Sequence, residues 1–565
     1  MTDRLIRLQG LVVIGLGLLV IRLIDLQVIR GGRYRDLAEQ NRLRLVPEQA
    51  PRGLIVDRRG RVMAANETVF RVAIVPQELE NFPATLAFIS SVARRPVETL
   101  KQEYSLERSL AFLPATIVAR VPKEAAIRLE EDRWRYPGLL VRTEAVRSYP
   151  LGQSAAHLLG YLSQPTPEEL PLLKQYGVKP KHLVGRLGIE QLLDHALRGQ
   201  SGGVLVEVDH RARQVRVLGR RAPQPGAPVT LTIDAQLQSL IEQAFGAQPG
   251  ACVVLDPQTG EILAMVSVPS FSPGAFITPD PRAVRQLFDD PLSPMMNRAT
   301  VGAYQPGSIM KLVTAAAALE AKLITPETVI TCPGSLTIGD RTFRCWNRDG
   351  HGPMRLHDAL MQSCNVYFMQ VARRLGAARL RTALEQVGLS RRTGWPMEER
   401  PGHLPNRRMT EGEVALLGIG QGEILVTALQ AARMAGVFAT HGWLVDPVVV
   451  SAVADQPVST GRARHPVHWS AQTIDAVREG MQAVVSGPDG TGHRAYSPLV
   501  SIAGKTGTAQ THVPEQTHGW FVGFCPVDQP RAALAVIAEY GGSGGDVPAQ
   551  IAKAICEYVS LPETL

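Results

Sequence analysis

Hydrophobic positions along the chain fall into one long run at the start and many short runs after it. Residues 8–21 carry no charge, Arg22 and Asp25 interrupt, and the apolar run resumes through Leu26, Val28 and Ile29. A run of 14 is short for a membrane span, but residues 8–29 together reach the roughly 20 that a helix needs to cross a bilayer. Arg22 lies close enough to the far interface to snorkel, and Asp25, three residues on, is placed to pair with it. Arg4 and Arg7 precede the run and no small-x-small cleavage signature follows it. The pattern predicts an uncleaved signal anchor with its N-terminus in the cytoplasm and the bulk of the chain outside.

No later apolar run is long enough to span, and no repeat period is evident. Residues 31–220 mix short alternating segments (54–56, 204–208) with Arg-rich polar helices, which predicts an irregular α+β module. Ala222-Pro223-Gln224-Pro225-Gly226-Ala227-Pro228 breaks both helix and sheet and reads as a linker. Beyond it the pattern is compact α/β, with strands over 229–233, 252–255 and 262–267, and a helix from Gln236. Asp256-Pro257-Gln258-Thr259-Gly260-Glu261 forms a hairpin turn between the second and third strands. Helices follow at 311–321, 358–375 and 471–485, and strands at 501–504, 520–524 and 532–539.

Composition narrows the class. At 565 residues, 45 % apolar and 20 % charged, the chain can fill several cores, which excludes a disordered chain, a small disulfide scaffold and a polytopic membrane protein. The net charge of +8 is uneven: residues 1–228 carry +11 and residues 229–565 carry −3. A basic N-terminal half suits a surface near anionic lipid or polymer. No Lys/Arg stripe with interleaved aromatics appears, so nucleic acid is not an expected partner.

The candidate chemistry lies in the second half. In Tyr304-Gln305-Pro306-Gly307-Ser308-Ile309-Met310-Lys311 a Pro/Gly turn runs into an Ala-rich helix, which places a Ser and a Lys one helical turn apart, close enough for the amine to reach the hydroxyl. Serine needs an adjacent base to act as a nucleophile, and a desolvated lysine near a second cation sheds its proton readily enough to serve. Alone, Ser-x-x-Lys is equally a helix N-cap with a solvated lysine. In order, however, come Ser363-Cys364-Asn365 within the helix of 358–375, and Lys505-Thr506-Gly507-Thr508 after the strand of 501–504. The ordered trio is the signature of penicillin-binding proteins and class A β-lactamases. Gly541-Gly542-Ser543-Gly544-Gly545 matches the nucleophile elbow, but no His follows to complete a triad, so it reads as a flexible loop.

On these residues the chain resembles the class B penicillin-binding proteins of the elongation type. The resemblance extends to Ala50-Pro51-Arg52-Gly53-Leu54-Ile55-Val56-Asp57-Arg58-Arg59-Gly60 and Ala65-Asn66. It continues through Arg147-Ser148-Tyr149-Pro150, Ala155-Ala156-His157-Leu158-Leu159-Gly160-Tyr161, Gly188-Ile189-Glu190 and Gly418-Ile419-Gly420-Gln421-Gly422. Gln305 and Ile309-Met310 depart from the family's frequent Pro and Thr-Phe, without removing a reacting group. The resemblance implies an α/β (α+β) penicillin-binding transpeptidase fold, with an antiparallel sheet flanked by helices, an N-terminal α+β pedestal and a single transmembrane helix. The expected division is a cytoplasmic tail (1–7), a transmembrane anchor (8–29), a periplasmic pedestal of the dimerisation type (30–225) and a transpeptidase domain (229–565).

The resemblance further implies that Ser308 attacks the penultimate D-Ala of a peptidoglycan stem peptide while Lys311 takes its proton. Ser363 and Lys505 relay a proton to the leaving D-Ala, and Asn365 holds the substrate amide. Lys505, Thr506, Gly507 and Thr508 form the strand that binds the terminal carboxylate, and the N–H groups of Ser308 and Thr508 form the oxyanion hole. A β-lactam would acylate the same serine. The implied partner is a polytopic membrane glycosyltransferase of the shape, elongation, division and sporulation class, and the implied location the bacterial inner membrane. No organic cofactor is expected. The alternatives are a septal cross-linking paralogue and a non-catalytic β-lactam sensor or wall-binding scaffold.

Six cysteines in an exported chain raise the question of pairing. Cys332, Cys345, His351 and Cys364 are separated by 13, 6 and 13 residues and offer the donors of a closed tetrahedral zinc site. Zn2+ there would pin the middle of Ser363-Cys364-Asn365, and some members of the resembled family look able to bind a metal in this region. A Cys332–Cys345 disulfide and unlinked thiols are the other readings. Cys252, Cys525 and Cys556 are expected to fill core, and His157 and His357 to serve structure.

Overall fold

The opening apolar segment forms a helix, Thr2–Ile24, continued by a π-helical turn, Asp25–Ile29. Over Gln9–Ile29 its mean hydropathy is 2.3 and none of that window is buried, so it is long and apolar enough to cross a membrane. Asp25 pairs with Arg22 at 2.6 Å and with Arg30 at 3.1 Å, which joins the expected i,i+3 pair to a second arginine past the apolar stretch. This computed structural model describes residues 2–34, 42–108, 113–173, 182–209, 214–277, 280–458, 463–511, 513 and 515–561. Met1 of the predicted tail, residues 35–41, 109–112, 174–181 and 210–213 of the predicted pedestal, and 278–279, 459–462, 512, 514 and 562–565 of the predicted catalytic part lie outside the described residues.

Two compact units form, and they are interleaved in sequence. The first comprises Met1–Gly53, Asn66–Arg147 and Arg198–Gly226; the second comprises Leu54–Ala65, Ser148–Leu197 and Ala227–Leu565. Part of the stretch that reads linearly as pedestal therefore clusters with the later chain. Asp57 is fully buried, and one carboxylate oxygen accepts the N–H groups of Arg59 and Arg61, while the other accepts that of Ala235. In the first unit an antiparallel sheet runs Leu43–Glu48, Gly202–Val208, Gln214–Arg221. A separate core of Val72, Ile74, Leu86, Ile89, Ile117 and Leu129 joins helices Phe82–Ala93 and Lys123–Glu131 to strand Ala115–Val121.

The second unit is built on a five-stranded antiparallel sheet. Its strands are β1 (Gly250–Leu255), β2 (Ile262–Val268), β3 (Ala503–Gln510), β4 (Thr517–Cys525) and β5 (Ala532–Ala538), in the order β2-β1-β5-β4-β3. Both faces are covered. Cys252, Val254, Leu534 and Val536 pack with helices α1 (Ala235–Phe245) and α7 (Val547–Ser560). Ala251, Val253, Ala533 and Ala535 join the larger core with α2 (Lys311–Glu320), α5 (Ala428–Ala439) and α6 (Ala471–Ser486). Burial on both faces explains why these strands read as continuous apolar runs.

The structure corrects three expectations. The helix expected over 358–375 is two helices, α3 (Leu356–Met361) and α4 (Asn365–Leu375), and Ser363-Cys364-Asn365 spans the break between them. Lys505-Thr506-Gly507 lies inside β3, since the strand begins later than expected and continues through the motif. Cys525 and Cys556 are joined as a disulfide between the end of β4 and α7, where they were expected only to fill core; Cys252 is a buried free thiol, as expected. Proximity of a strand end to a helix 31 residues away is a tertiary fact that apolar surroundings do not announce.

Thiol titration of the denatured chain is expected to count four free cysteines before reduction and six after. Closing a loop of this length predicts that the Cys525→Ser/Cys556→Ser variant loses about 3–4 kcal/mol of stability in denaturant unfolding.

Candidate active site

The nucleophile turn is formed by glycine. A single 3-10 turn, Gly307–Met310, precedes α2, and Gly307 has φ +57°, which an L side chain rarely adopts. A Cβ on Gly307 would stand 2.7 Å from the carbonyl oxygen of Thr508, so the missing side chain lets the turn lie directly against β3. From the other side, Gly307 N–H donates to Gly420 O at 2.9 Å, and a Cβ on Gly420 would come within 2.1 Å of Gly307 O. Trp520 Nε1–H donates to Gln305 O at 3.0 Å, and Gln305 Nε2–H to Gly422 O at 2.8 Å. Ile309 and Met310, the departures from the family pattern, are fully buried core.

Ser308 is half-buried in this turn, and Lys311 opens α2 fully buried. The Lys311 amine donates to Ser363 O at 2.7 Å and to Asn365 Oδ1 at 2.7 Å, and lies 3.2 Å from Ser363 Oγ. Lys505 Nζ, equally buried, donates to the same hydroxyl at 2.8 Å and to Thr506 O at 3.0 Å. Ser363 Oγ therefore stands between two amines. Ser363 is held at φ +54°, a strained conformation for a non-glycine residue, and Cys364 caps α4 through Tyr367 N–H. Among the described residues the Ser308 hydroxyl has no hydrogen-bond partner. Spacing suggested direct contact with Lys311, whose donors instead satisfy Ser363 and Asn365.

Burial lowers the Lys311 pKa to about 8, against the opposing pull of Cys364 and Cys345. Burial, with the Lys311 charge beside it, drives Lys505 well below its ordinary value. Thr506 is buried and shares a 2.7 Å hydrogen bond with Thr491, whereas Thr508 is exposed next to the Gly307 turn. Thr491, in the loop after α6, carried no signal in the sequence beyond a Gly-rich turn. Also unmarked was the buried group beneath the nucleophile turn: Tyr304 Oη–H donates to Glu539 at 2.7 Å, and Arg298 pairs with the same carboxylate at 3.0 Å. Ser543 is no elbow: its hydroxyl accepts Gly545 N–H. The loop it sits in packs tightly, since a Cβ on Gly544 would meet Trp520 O at 1.9 Å. His157 is buried on Pro294 O, and His357 is exposed beside Asp358.

Cys332, Cys345, His351 and Cys364 converge, with their ligand atoms all within 4.8 Å of one another. His351 Nδ1 lies 3.5 Å from Cys332 Sγ and 3.6 Å from Cys345 Sγ, close to the ~3.5 Å edge of a tetrahedron with Zn–S near 2.3 Å and Zn–N near 2.0 Å. No disulfide joins Cys332 to Cys345. The hydrogen bond from Cys364, with N–H groups of Asn365, Val366 and Asn347, pulls the Cys345 thiol down to about 4; the same contact and burial push Cys364 up. Three buried sulfurs and one imidazole nitrogen at this spacing fit a soft divalent metal.

Residues 250–557 match the penicillin binding protein transpeptidase domain and residues 47–231 the penicillin-binding protein dimerisation domain. The peptidoglycan D,D-transpeptidase MrdA of Acinetobacter baumannii is 33 % identical over 97 % of this chain and 86 % of its own length. A penicillin-binding protein PBP2 from Helicobacter pylori, solved in complex with MreC, superposes with a TM-score of 0.80 at 27 % identity over 92 % of this chain and 99 % of that one. A structure described as a peptidoglycan synthase complex coordinating polymerization and crosslinking contains a chain 31 % identical, with a TM-score of 0.74 and complete coverage of both chains.

If Lys311 takes the serine proton, only its neutral form supports acylation. The second-order rate of Ser308 acylation, followed with a fluorescent β-lactam, is expected to rise with pH, roughly tenfold per unit well below 8, and to level off above a midpoint near 8. A flat profile between pH 6 and 9 would remove Lys311 from that role.

Proposed function

The chain belongs to the penicillin-binding proteins that carry a transpeptidase domain, alongside the MrdA peptidoglycan D,D-transpeptidases, and from that membership we propose the following chemistry for its residues. It is a serine transpeptidase of peptidoglycan synthesis, of the elongation type. The observation that carries the assignment is Ser363 Oγ held between the Lys311 and Lys505 amines beside the Ser308 turn.

Ser308 Oγ attacks the carbonyl of the penultimate D-Ala as its proton passes to Lys311. The tetrahedral oxyanion is received by the N–H groups of Ser308 and Thr508, which the glycine at 307 allows to approach. On collapse the C–N bond breaks, and the departing D-Ala amine takes a proton through Ser363, supplied from the lysine pair. Asn365 orients the substrate amide. Lys505, Thr506 and Thr508, along the edge strand with Gly507 between, bind the terminal carboxylate. An amine of a second stem peptide then attacks the acyl-enzyme, loses its proton to the same relay, and releases Ser308 with a new peptide cross-link. Water in place of that amine gives a D-Ala carboxypeptidase side reaction. A β-lactam enters the same sequence and stalls as the acyl-enzyme.

We further assign residues 1–7 to a cytoplasmic tail, 8–29 to a single anchor in the bacterial inner membrane, 30–225 to a periplasmic pedestal and 229–565 to the transpeptidase domain. The apolar helix and the buried disulfide, which an oxidising compartment sustains, support that placement. Partners of the shape and elongation machinery, including a polytopic glycosyltransferase, are supported by the complexes in which the similar chains were solved. Cys332, Cys345, His351 and Cys364 would hold Zn2+, whose chemistry there is structural cross-linking of the segment that carries Ser363 and Asn365.

Fluorescent-penicillin labelling of the detergent-solubilised chain, with mass spectrometry of the acylated peptide, is expected to place the acyl group on Ser308 and to vanish in Ser308→Ala. Labelling elsewhere, or undiminished in the variant, would overturn the assignment. Elemental analysis of tag-free protein is expected to find close to one zinc per chain, lost in Cys332→Ser; zinc below ~0.1 equivalent in the parent would rule the metal out.

A further inference from the structure

A hairpin, Ser335–Ile338 paired with Arg341–Arg344, stands on the lobe that carries three of the four sulfur and nitrogen ligands. Its register sorts its side chains. Leu336, Ile338 and Phe343 pack onto the core, while Ser335 lies directly opposite Arg344 and Thr337 opposite Thr342 on the other face. Gly334, at φ +90°, brings the hairpin's first strand against the following loop; a Cβ there would stand 2.1 Å from Arg348 O. Together Gly334, Ser335, Arg344 and Arg348 line a cleft of about 430 Å3. Both guanidiniums are exposed, and among the described residues neither has an ion pair or a hydrogen-bond partner.

We propose that this cleft is an anion subsite in which Arg344 and Arg348, with the Ser335 hydroxyl, bind a carboxylate on the body of a stem peptide, separate from the terminal D-Ala carboxylate that Lys505 and its strand receive. The inference rests on the transpeptidase reading and extends it. Two arginines without an ion pair among the described residues and a serine line one concavity, and a guanidinium suits the planar fork of a carboxylate. The cleft is tied to the reacting groups: Trp346 Nε1–H donates to Gln362 O at 2.9 Å, one residue before Ser363, and Cys345 N–H donates to Gly334 O at 2.8 Å. The two arginines therefore stand on a segment hydrogen-bonded to the residue before Ser363. The acidic neighbours Asp340 and Asp349 leave both arginines unpaired.

The test is competition. Synthetic stem pentapeptides ending in D-Ala-D-Ala, with their internal carboxylates free or amidated, are titrated against fluorescent-penicillin labelling of the full-length chain. The parent is expected to be protected by the free-carboxylate peptide at about tenfold lower concentration than by the amidated one. Arg344→Gln/Arg348→Gln should reduce that discrimination below about twofold, with labelling in the absence of peptide within twofold of the parent; Arg344→Lys/Arg348→Lys should restore part of it. Zinc content and thermal midpoint, compared across the variants, separate a lost subsite from a disturbed lobe, and the Lys variant carries the test if the Gln variant does not fold. Equal protection by both peptides in the parent, or discrimination that survives in the Gln variant, overturns the subsite alone. Failure of the parent to label at Ser308 overturns the transpeptidase reading beneath it. Inorganic phosphate that relieves the protection at lower concentration than acetate would reassign the cleft to a phosphoryl group and overturn the carboxylate.

Discussion

Two lysines buried to zero exposure within reach of one hydroxyl form the constraint on which the site depends. Burying an ammonium without compensation costs several kcal/mol, and a second one beside it adds repulsion. The protein answers in two ways. It lowers both pKa values, so that the pair need not carry two full charges. It also surrounds the amines with acceptors: Ser363 O, Asn365 Oδ1, Thr506 O and the shared Ser363 Oγ. Placing Ser363 O and Oγ on the same amine requires the left-handed backbone at Ser363, and that conformation ends α3 and starts α4. The helix break thus accompanies the shared hydrogen bonding of the two amines to Ser363.

Close approach of backbones supports the other half of the site. Gly420, Gly307 and Thr508 are stacked so tightly that a Cβ on either glycine would collide with main-chain oxygen. The turn bearing Ser308 is thereby gripped between the loop after residue 418 and β3. Thr314 Oγ1–H donates to Gly418 O at 2.7 Å and fixes that loop to α2, the same helix that carries Lys311. Ser308, Lys311 and the edge strand are consequently referenced to one another through main-chain contacts, and precision of that kind suits chemistry whose gain comes from pre-placed donors.

The chain order of the trio made the chemistry legible in the sequence, because Ser and Lys three residues apart, Ser-Cys-Asn, and Lys-Thr-Gly beside a strand recur in that order. The alternating and continuous apolar runs marked the sheet and most helices. What escaped was set by contacts between distant residues. Asp57 reaches Ala235 across 178 positions and draws residues 54–65 into the later unit. Cys525 meets Cys556, and Thr491 meets Thr506, only once the sheet and α6 are assembled. The break at Ser363 escaped for a different reason: apolar helical patterns on both sides hid a Ser-Cys-Asn triplet that is itself of low helix propensity.

Placing the binding motif on an edge strand carries a hazard and a use. An unpaired edge offers a row of N–H and C=O groups to any extended chain, which ordinarily invites aggregation. In β3 the hazard is contained because the Gly307 turn lies against Thr508 and Gln421 Nε2–H reaches Thr508 O at 3.4 Å, covering that end of the edge. An open edge of this kind can take an extended peptide as a further strand, with main-chain hydrogen bonds supplying affinity. Specificity must then come from the few side chains that flank the added strand, since main-chain pairing reads no sequence.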